Sequence, residues 1–218
     1  MTRGATARLF VAVDPPAEVC EELLAWGRRA LSSISRRGAK PVDGDARLLD
    51  TDALHVTLCF LGSRPVAEIE PIGSALAGCA SPVGELSLGA PLWLPPRGPR
   101  VLAVELHDRE GGLRRLHEEV CGALSEAIGW QPERRRFRAH ITVARVRGAG
   151  RRRRRRSAEP ARGRRDAGGC HEAEQRALPA TPPLRFTPSK VVLYRSWLSR
   201  TGASYEALAT CELLGAER

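Results

Sequence analysis

An apolar run at 9–13 (Leu9, Phe10, Val11, Ala12, Val13) predicts a buried strand near the start of the chain. Asp14 follows as a helix cap, with Pro15 at the first helical position. Val19, Leu23, Trp26, Ala30 and Ile34 then recur every three or four residues, which predicts an amphipathic helix over 16–35. Residues 35–44 read as a polar loop. A strand is expected over 54–61, stopping at Gly62, and Pro65 opens a second helix with Ile69, Ile72, Leu76 and Cys79 on one face. Short strands are expected near 85–88 and 101–106. Leu113, Leu116, Val120, Leu124 and Ile128 mark a third helix. Further strands are expected over 137–146, 184–186, 190–194 and 205–213. Several short strands interleaved with three helices predict an α+β domain with mixed or antiparallel sheets.

One stretch breaks the pattern. Residues 147–183 hold six consecutive arginines (151–156), scattered Gly and Ala, and a Pro-rich end. Like charges repel, and little apolar material is present to offset the entropy of ordering, so the stretch reads as an unfolded insertion in a single domain of 1–218. It also concentrates the charge. The chain of 218 residues carries 35 basic and 25 acidic residues, for a net +10. Between Arg147 and Arg176 there are 11 Arg and 4 acidic residues, a local +7, so the remainder is only mildly basic. A phosphate-bearing partner is compatible with this balance.

The 42% hydrophobic and 28% charged composition is that of a globular protein. The six cysteines are scattered without a Cys-x-x-Cys pair, which disfavours a zinc ribbon or a redox motif and suits small buried residues in a reducing compartment. The first apolar stretch is too short for a signal peptide, and no run approaches the roughly 18 residues of a membrane span. A cytoplasmic protein without membrane contact is the expectation.

Two segments carry the candidate chemistry: His55, Val56, Thr57, Leu58 and His140, Ile141, Thr142, Val143. Both read His-apolar-Thr-apolar within predicted strands. Strand side chains alternate, so His55 and Thr57 share one face, as do His140 and Thr142, with the aliphatic residues on the other. If the halves pack about a pseudo-dyad, two imidazoles and two hydroxyls converge. That set suits a phosphodiester reaction without a metal. A neutral imidazole accepts a proton from the nucleophile, an imidazolium protonates the leaving oxygen, and hydroxyls donate to phosphate oxygens. His107, His117 and His171 lack a comparable setting. Cys59 has the parity of His55 but reads as core, and no metal or cofactor is expected.

These residues give the chain a specific resemblance. Residues 8–16, 55–62, 140–145 and 193–196 resemble the 2H phosphoesterase superfamily, in its RNA 2',3'-cyclic phosphodiesterase branch, once called 2'-5' RNA ligases. The resemblance implies a two-lobed, pseudo-symmetric α+β fold with antiparallel sheets, helices outside and a central cleft. It implies hydrolysis of RNA 2',3'-cyclic phosphate ends to 2'-phosphates, with reverse 2'-5' ligation when a 5'-hydroxyl replaces water. Carried over residue by residue, it makes His55 the proton donor, His140 the acceptor, and Thr57 and Thr142 the phosphate ligands. The implied partner is RNA, tRNA fragments among the candidates, acted on by a monomer. Where the family commonly has Pro before the second histidine, this chain has Ala139.

Three further residues are substrate-binding candidates. Arg145 follows the second motif, although alternation sets it opposite His140 unless the strand bulges. Arg8 and Phe10 share a face of the first strand, and Phe10 is either a base-stacking residue or core. Two other functions stay open at this point: a non-catalytic RNA-end-binding module, and a 2H phosphodiesterase acting on a small cyclic nucleotide.

Overall fold

Alternating apolar positions produce strands that bury one face, and nine of them pair antiparallel into one curled sheet among the described residues. The computed structural model describes residues 5–36, 45–96, 99–133, 135–147, 178–198 and 203–214. The strands are β1 (Thr6–Val13), β2 (Asp45–Leu48), β3 (Val56–Pro65), β4 (Leu86–Leu94), β5 (Val101–Asp108), β6 (His140–Arg147), β7 (Arg185–Phe186), β8 (Lys190–Leu198) and β9 (Ala203–Glu212). Their order is β7-β4-β5-β6-β3-β1-β8-β9, with β2 added alongside β6. Helices α1 (Ala17–Arg36), α2 (Ile69–Ala77) and α3 (Gly112–Ile128) bury their apolar stripes on the sheet, as in the α+β fold expected from the sequence.

The sheet divides into two halves that meet at β3 and β6. Those strands share a single register pair, Val56 with Ile141, the middle residue of each His-apolar-Thr motif. Both are fully buried in a core shared with Val11, Val13, Leu23, Trp26, Leu116 and Leu124. The flanking strands repeat the arrangement. β1 sets Ala12 against Thr57 and Val13 against Val56, while β5 sets Ala103 against Thr142 and Val104 against Ile141. An approximate two-fold axis therefore passes through the Val56–Ile141 pair.

Each motif strand carries a bulge one residue beyond its threonine. On β3, Val11 pairs with Cys59 and Ala12 with Thr57, leaving Leu58 unpartnered. On β6, Leu102 pairs with Ala144 and Ala103 with Thr142, leaving Val143 unpartnered. A bulge resets the alternation of everything after it. Gly27 accommodates the second bulge, because a Cβ there would lie 2.7 Å from both Val143 Cγ1 and Leu48 Cδ2. Its bare backbone lets α1 pass close over β6.

Several sequence expectations need correction. β3 does not stop at Gly62 but runs to Pro65, because Gly62 takes φ 74° within the strand. β4 extends to Leu94 rather than 88, since an irregularity between Leu88 and Pro91 absorbs Gly89 and Ala90 and Pro91 rejoins the ladder against Val104. His140 begins its strand and His55 stands just before one. The insertion 147–183 is too wide at both ends. Arg147 closes β6 against Asp45 of β2. Leu178 is buried, Pro179 O accepts a 3.2 Å bond from Trp26 Nε1, and Thr181 Oγ1 donates to Gly89 O at 2.6 Å. The six-arginine run lies outside the described residues.

Candidate active site

In an antiparallel ladder the pairing of Val56 with Ile141 sets His55 beside Thr142 and Thr57 beside His140. Val56 and Ile141 point into the core, so these four polar side chains stand on the opposite face. They line a common cleft of about 320 Å³. The convergence expected from the repeated motif is therefore present, and it arises from one register pair.

The bulges decide what surrounds the four. After the gap at Val143, Ala144 turns into the core and Arg145 returns to the face of His140, so Arg145 lines the cleft despite its position three residues past Thr142. Its Nη2 donates to Tyr205 Oη at 3.4 Å. After the gap at Leu58, Cys59 turns inward to 2% exposure and Phe60 comes out into the cleft at 57%. Phe60 and Arg145 are thus symmetry counterparts, one an exposed ring and the other a cation. Of the other candidates, Arg8 lines the cleft and is exposed, and Phe10 is a buried wall of it. The Phe10 ring lies 4.8 Å from His55 and 5.2 Å from Tyr194, centroid to centroid.

Tyr205 and Phe60 went unrecognised in the sequence. Tyr205 reaches the cleft because β9 pairs it with Ser196 of β8, and its ring meets His55 edge-on at 5.2 Å. Nothing local to residue 205 marks that placement. Tyr194 belongs to the 193–196 segment and donates from Oη to Asp14 Oδ2 at 2.7 Å, joining β8 to the end of β1.

The histidines differ electrostatically. His140 Nδ1 lies 2.8 Å from Arg138 O. A carbonyl only accepts, so Nδ1 carries the hydrogen and Nε2 of the neutral ring keeps its lone pair. His55 is held well below the usual histidine range, at about 4, by burial above all, with Arg145 and His140 adding repulsion. A hydrogen bond to the Ala53 backbone opposes the shift.

This has a consequence for stability. With a folded-state value near 4 against 6.5 for the free side chain, the unfolded chain binds the proton more readily. His55 therefore costs nothing above pH 6.5, and stability falls as pH drops from 6.5 towards 4. The full loss is on the order of 3 kcal/mol. His55→Gln should flatten this part of the stability curve in urea melts taken across the acid range. An unchanged acid slope in the variant would contradict the assignment.

No family model matches the sequence. An RNA 2',3'-cyclic phosphodiesterase of Geobacillus stearothermophilus is 30% identical over 210 residues, spanning 95% of this chain and 57% of the relative. One of Aeropyrum pernix is 35% identical over 106 residues, 47% of this chain and 58% of the relative. The chain is thus similar to RNA 2',3'-cyclic phosphodiesterases along nearly its whole length. It spans less than two thirds of the length of either relative. The crystal structure of a Thermus thermophilus protein matches with a TM-score of 0.66 at 26% identity, covering 96% of this chain and 100% of that one. Escherichia coli LigT, crystallised with 3'-AMP, matches with a TM-score of 0.67 at 23% identity over 96% and 99% of the two chains, a likeness of fold. In this chain the paired motifs occupy the meeting line of the two half-sheets. No helix among the described residues is long and apolar enough to cross a membrane.

Proposed function

We propose that this chain hydrolyses 2',3'-cyclic phosphate ends of RNA to a 2'-phosphate and a free 3'-hydroxyl. The observation that carries the reading is the Val56–Ile141 pair, which places two His-apolar-Thr motifs side by side on one face. His140 accepts a proton from water through Nε2 while the water oxygen bonds to phosphorus. The bond from phosphorus to the 3' oxygen breaks, and His55 delivers the proton that this oxygen needs. One water is consumed, and the two imidazoles regain their starting protonation states by proton exchange with solvent. Thr57, Thr142 and Arg145 donate to the non-bridging oxygens as charge gathers on them. With a 5'-hydroxyl in place of water as the nucleophile, the same steps in the same direction form a 2'-5' linkage and free the 3'-hydroxyl.

For His55 to act as the donor it must be charged when substrate is bound. The cyclic phosphate is an anion, and an anion beside an imidazole favours its charged form. Substrate binding therefore raises His55 from the low value that burial imposes. Both rings then stand in complementary protonation states, and turnover follows a bell in pH.

The test is an RNA oligonucleotide ending in a 2',3'-cyclic phosphate, incubated with the chain in the presence of EDTA. Turnover is expected to persist, because the site's donors are two imidazoles, hydroxyls and a guanidinium. The product is expected to resist a 3'-specific phosphatase. Phosphate release by that enzyme, or a strict dependence on added Mg²⁺, Mn²⁺ or Zn²⁺, would overturn the proposal.

A further inference from the structure

Behind the motif face, on the core side of β3, a second cluster brings together three metal-ligating side chains that the proposed reaction does not use. Cys59 projects there because the Leu58 bulge turns it inward. His117 and Cys121 stand four residues apart on α3, one above the other on a single helix face. Cys59 Sγ lies 3.5 Å from Cys121 Sγ, and Cys121 Sγ lies 3.5 Å from His117 Nε2. The three ligand atoms all fall within 4.8 Å of one another. The His117 ring is held in place by stacking on Phe137 at 4.2 Å and 15°.

The two 3.5 Å spacings match one ion better than they match a covalent bridge. Zinc bonds of about 2.3 Å to sulfur and about 2.0–2.1 Å to nitrogen, at tetrahedral angles, put neighbouring ligand atoms roughly 3.5–3.8 Å apart. A disulfide needs its sulfurs at about 2.05 Å. We propose that Cys59, His117 and Cys121 bind a thiophilic divalent cation, Zn²⁺ by preference, with its fourth position facing the groove that Cys59, His117 and Phe137 line.

Two thiolates and a neutral imidazole balance the charge of a dication, so the loaded site is neutral and suits a partly buried place. Soft sulfur donors select against Mg²⁺ and Ca²⁺. Binding expels the two thiol protons. The ion would tie β3 to α3 two residues beyond Thr57. Phe137, stacked on His117, lies three residues before His140. Both motif arms would thus be braced from behind by an ion that touches no substrate.

The test uses the full chain, stripped with a chelator, kept reduced with a phosphine, and titrated with Co²⁺ as a spectroscopic stand-in. One equivalent is expected to produce the thiolate-to-cobalt charge-transfer band and the strong visible bands of a four-coordinate site. Zn²⁺ should displace it and raise the melting temperature of the chain. Cys121→Ser and His117→Gln should each weaken binding by at least the roughly 10–100-fold that loss of even an outer partner costs. Cys211→Ser and Cys170→Ser should leave it unchanged. His117 is only partly buried, so His117→Gln keeps the test open if Cys121→Ser does not fold. Absence of the charge-transfer band at one equivalent, or bands of equal strength in His117→Gln, would overturn the proposal. So would a Cys59–Cys121 disulfide as the form that resists the reductant. Each readout is independent of hydrolysis, so the outcome is separable from the fate of the proposed activity.

Discussion

His55→Ala and His140→Ala should each lower hydrolysis of a 2',3'-cyclic phosphate by about 10²–10⁴-fold, the usual worth of one positioned acid or base. Each imidazole has its own station. His140 is oriented by the Arg138 carbonyl, and His55 is packed against Phe10 with Tyr205 edge-on to it. Neither ring fills the shared core, where the Val56–Ile141 pair holds the strands together, so both variants should remain folded. Circular dichroism and a urea melt establish that, and steady-state turnover on the oligonucleotide gives the loss. The double variant should be little worse than the more damaged single one, because removing either end of a proton relay disables the other. Near wild-type turnover in either folded variant would contradict the assignment.

Arg145→Gln should come next in size, with a loss of about 10²-fold, the lower end of what removing one preorganised donor costs. Its guanidinium lies in the cleft beside Tyr205 Oη, so part of its orientation is set before substrate arrives. Arg145→Lys should recover little, because a point charge does not reproduce the planar fork that grips two phosphate oxygens. Tyr205→Phe removes only the orienting hydroxyl and should cost far less. The Arg145 side chain is exposed, so stability should be unaffected in all three. Comparison of kcat/KM for the variants is the measurement. Equal rates for Arg145→Gln and wild type would show that the phosphate is held by the threonines alone.

The shared faces of the motif side chains were legible in the sequence because alternation is a local rule: His55 and Thr57, like His140 and Thr142, had to share a face. The bulges were not legible. Whether Leu58 and Val143 are matched or skipped depends on β1 and β5, strands distant in sequence, and no residue type marks the skip. Simple alternation therefore placed Arg145 opposite His140 and Cys59 on the side of His55, and the two bulges reverse both placements. Tyr205 and Phe60 were missed for the same reason, since pairing and not pattern brings them to the cleft. The Pro-rich end of the arginine segment misled in another way. Its composition suggests an unfolded linker, yet Leu178 supplies one buried side chain, and Trp26 and Gly89 take up its polar groups.

The division of labour between the two histidines is the central claim, and a change of leaving atom tests it most directly. A cyclic substrate with sulfur in place of the 3' oxygen expels a thiolate, which needs no proton as it leaves. If His55 protonates the 3' oxygen, His55→Ala should return to within about tenfold of wild type on the sulfur substrate, while His140→Ala stays depressed by the full general-base contribution of about 10²–10⁴-fold. Rescue of His140→Ala in place of His55→Ala, or equal depression of both variants on both substrates, would contradict it.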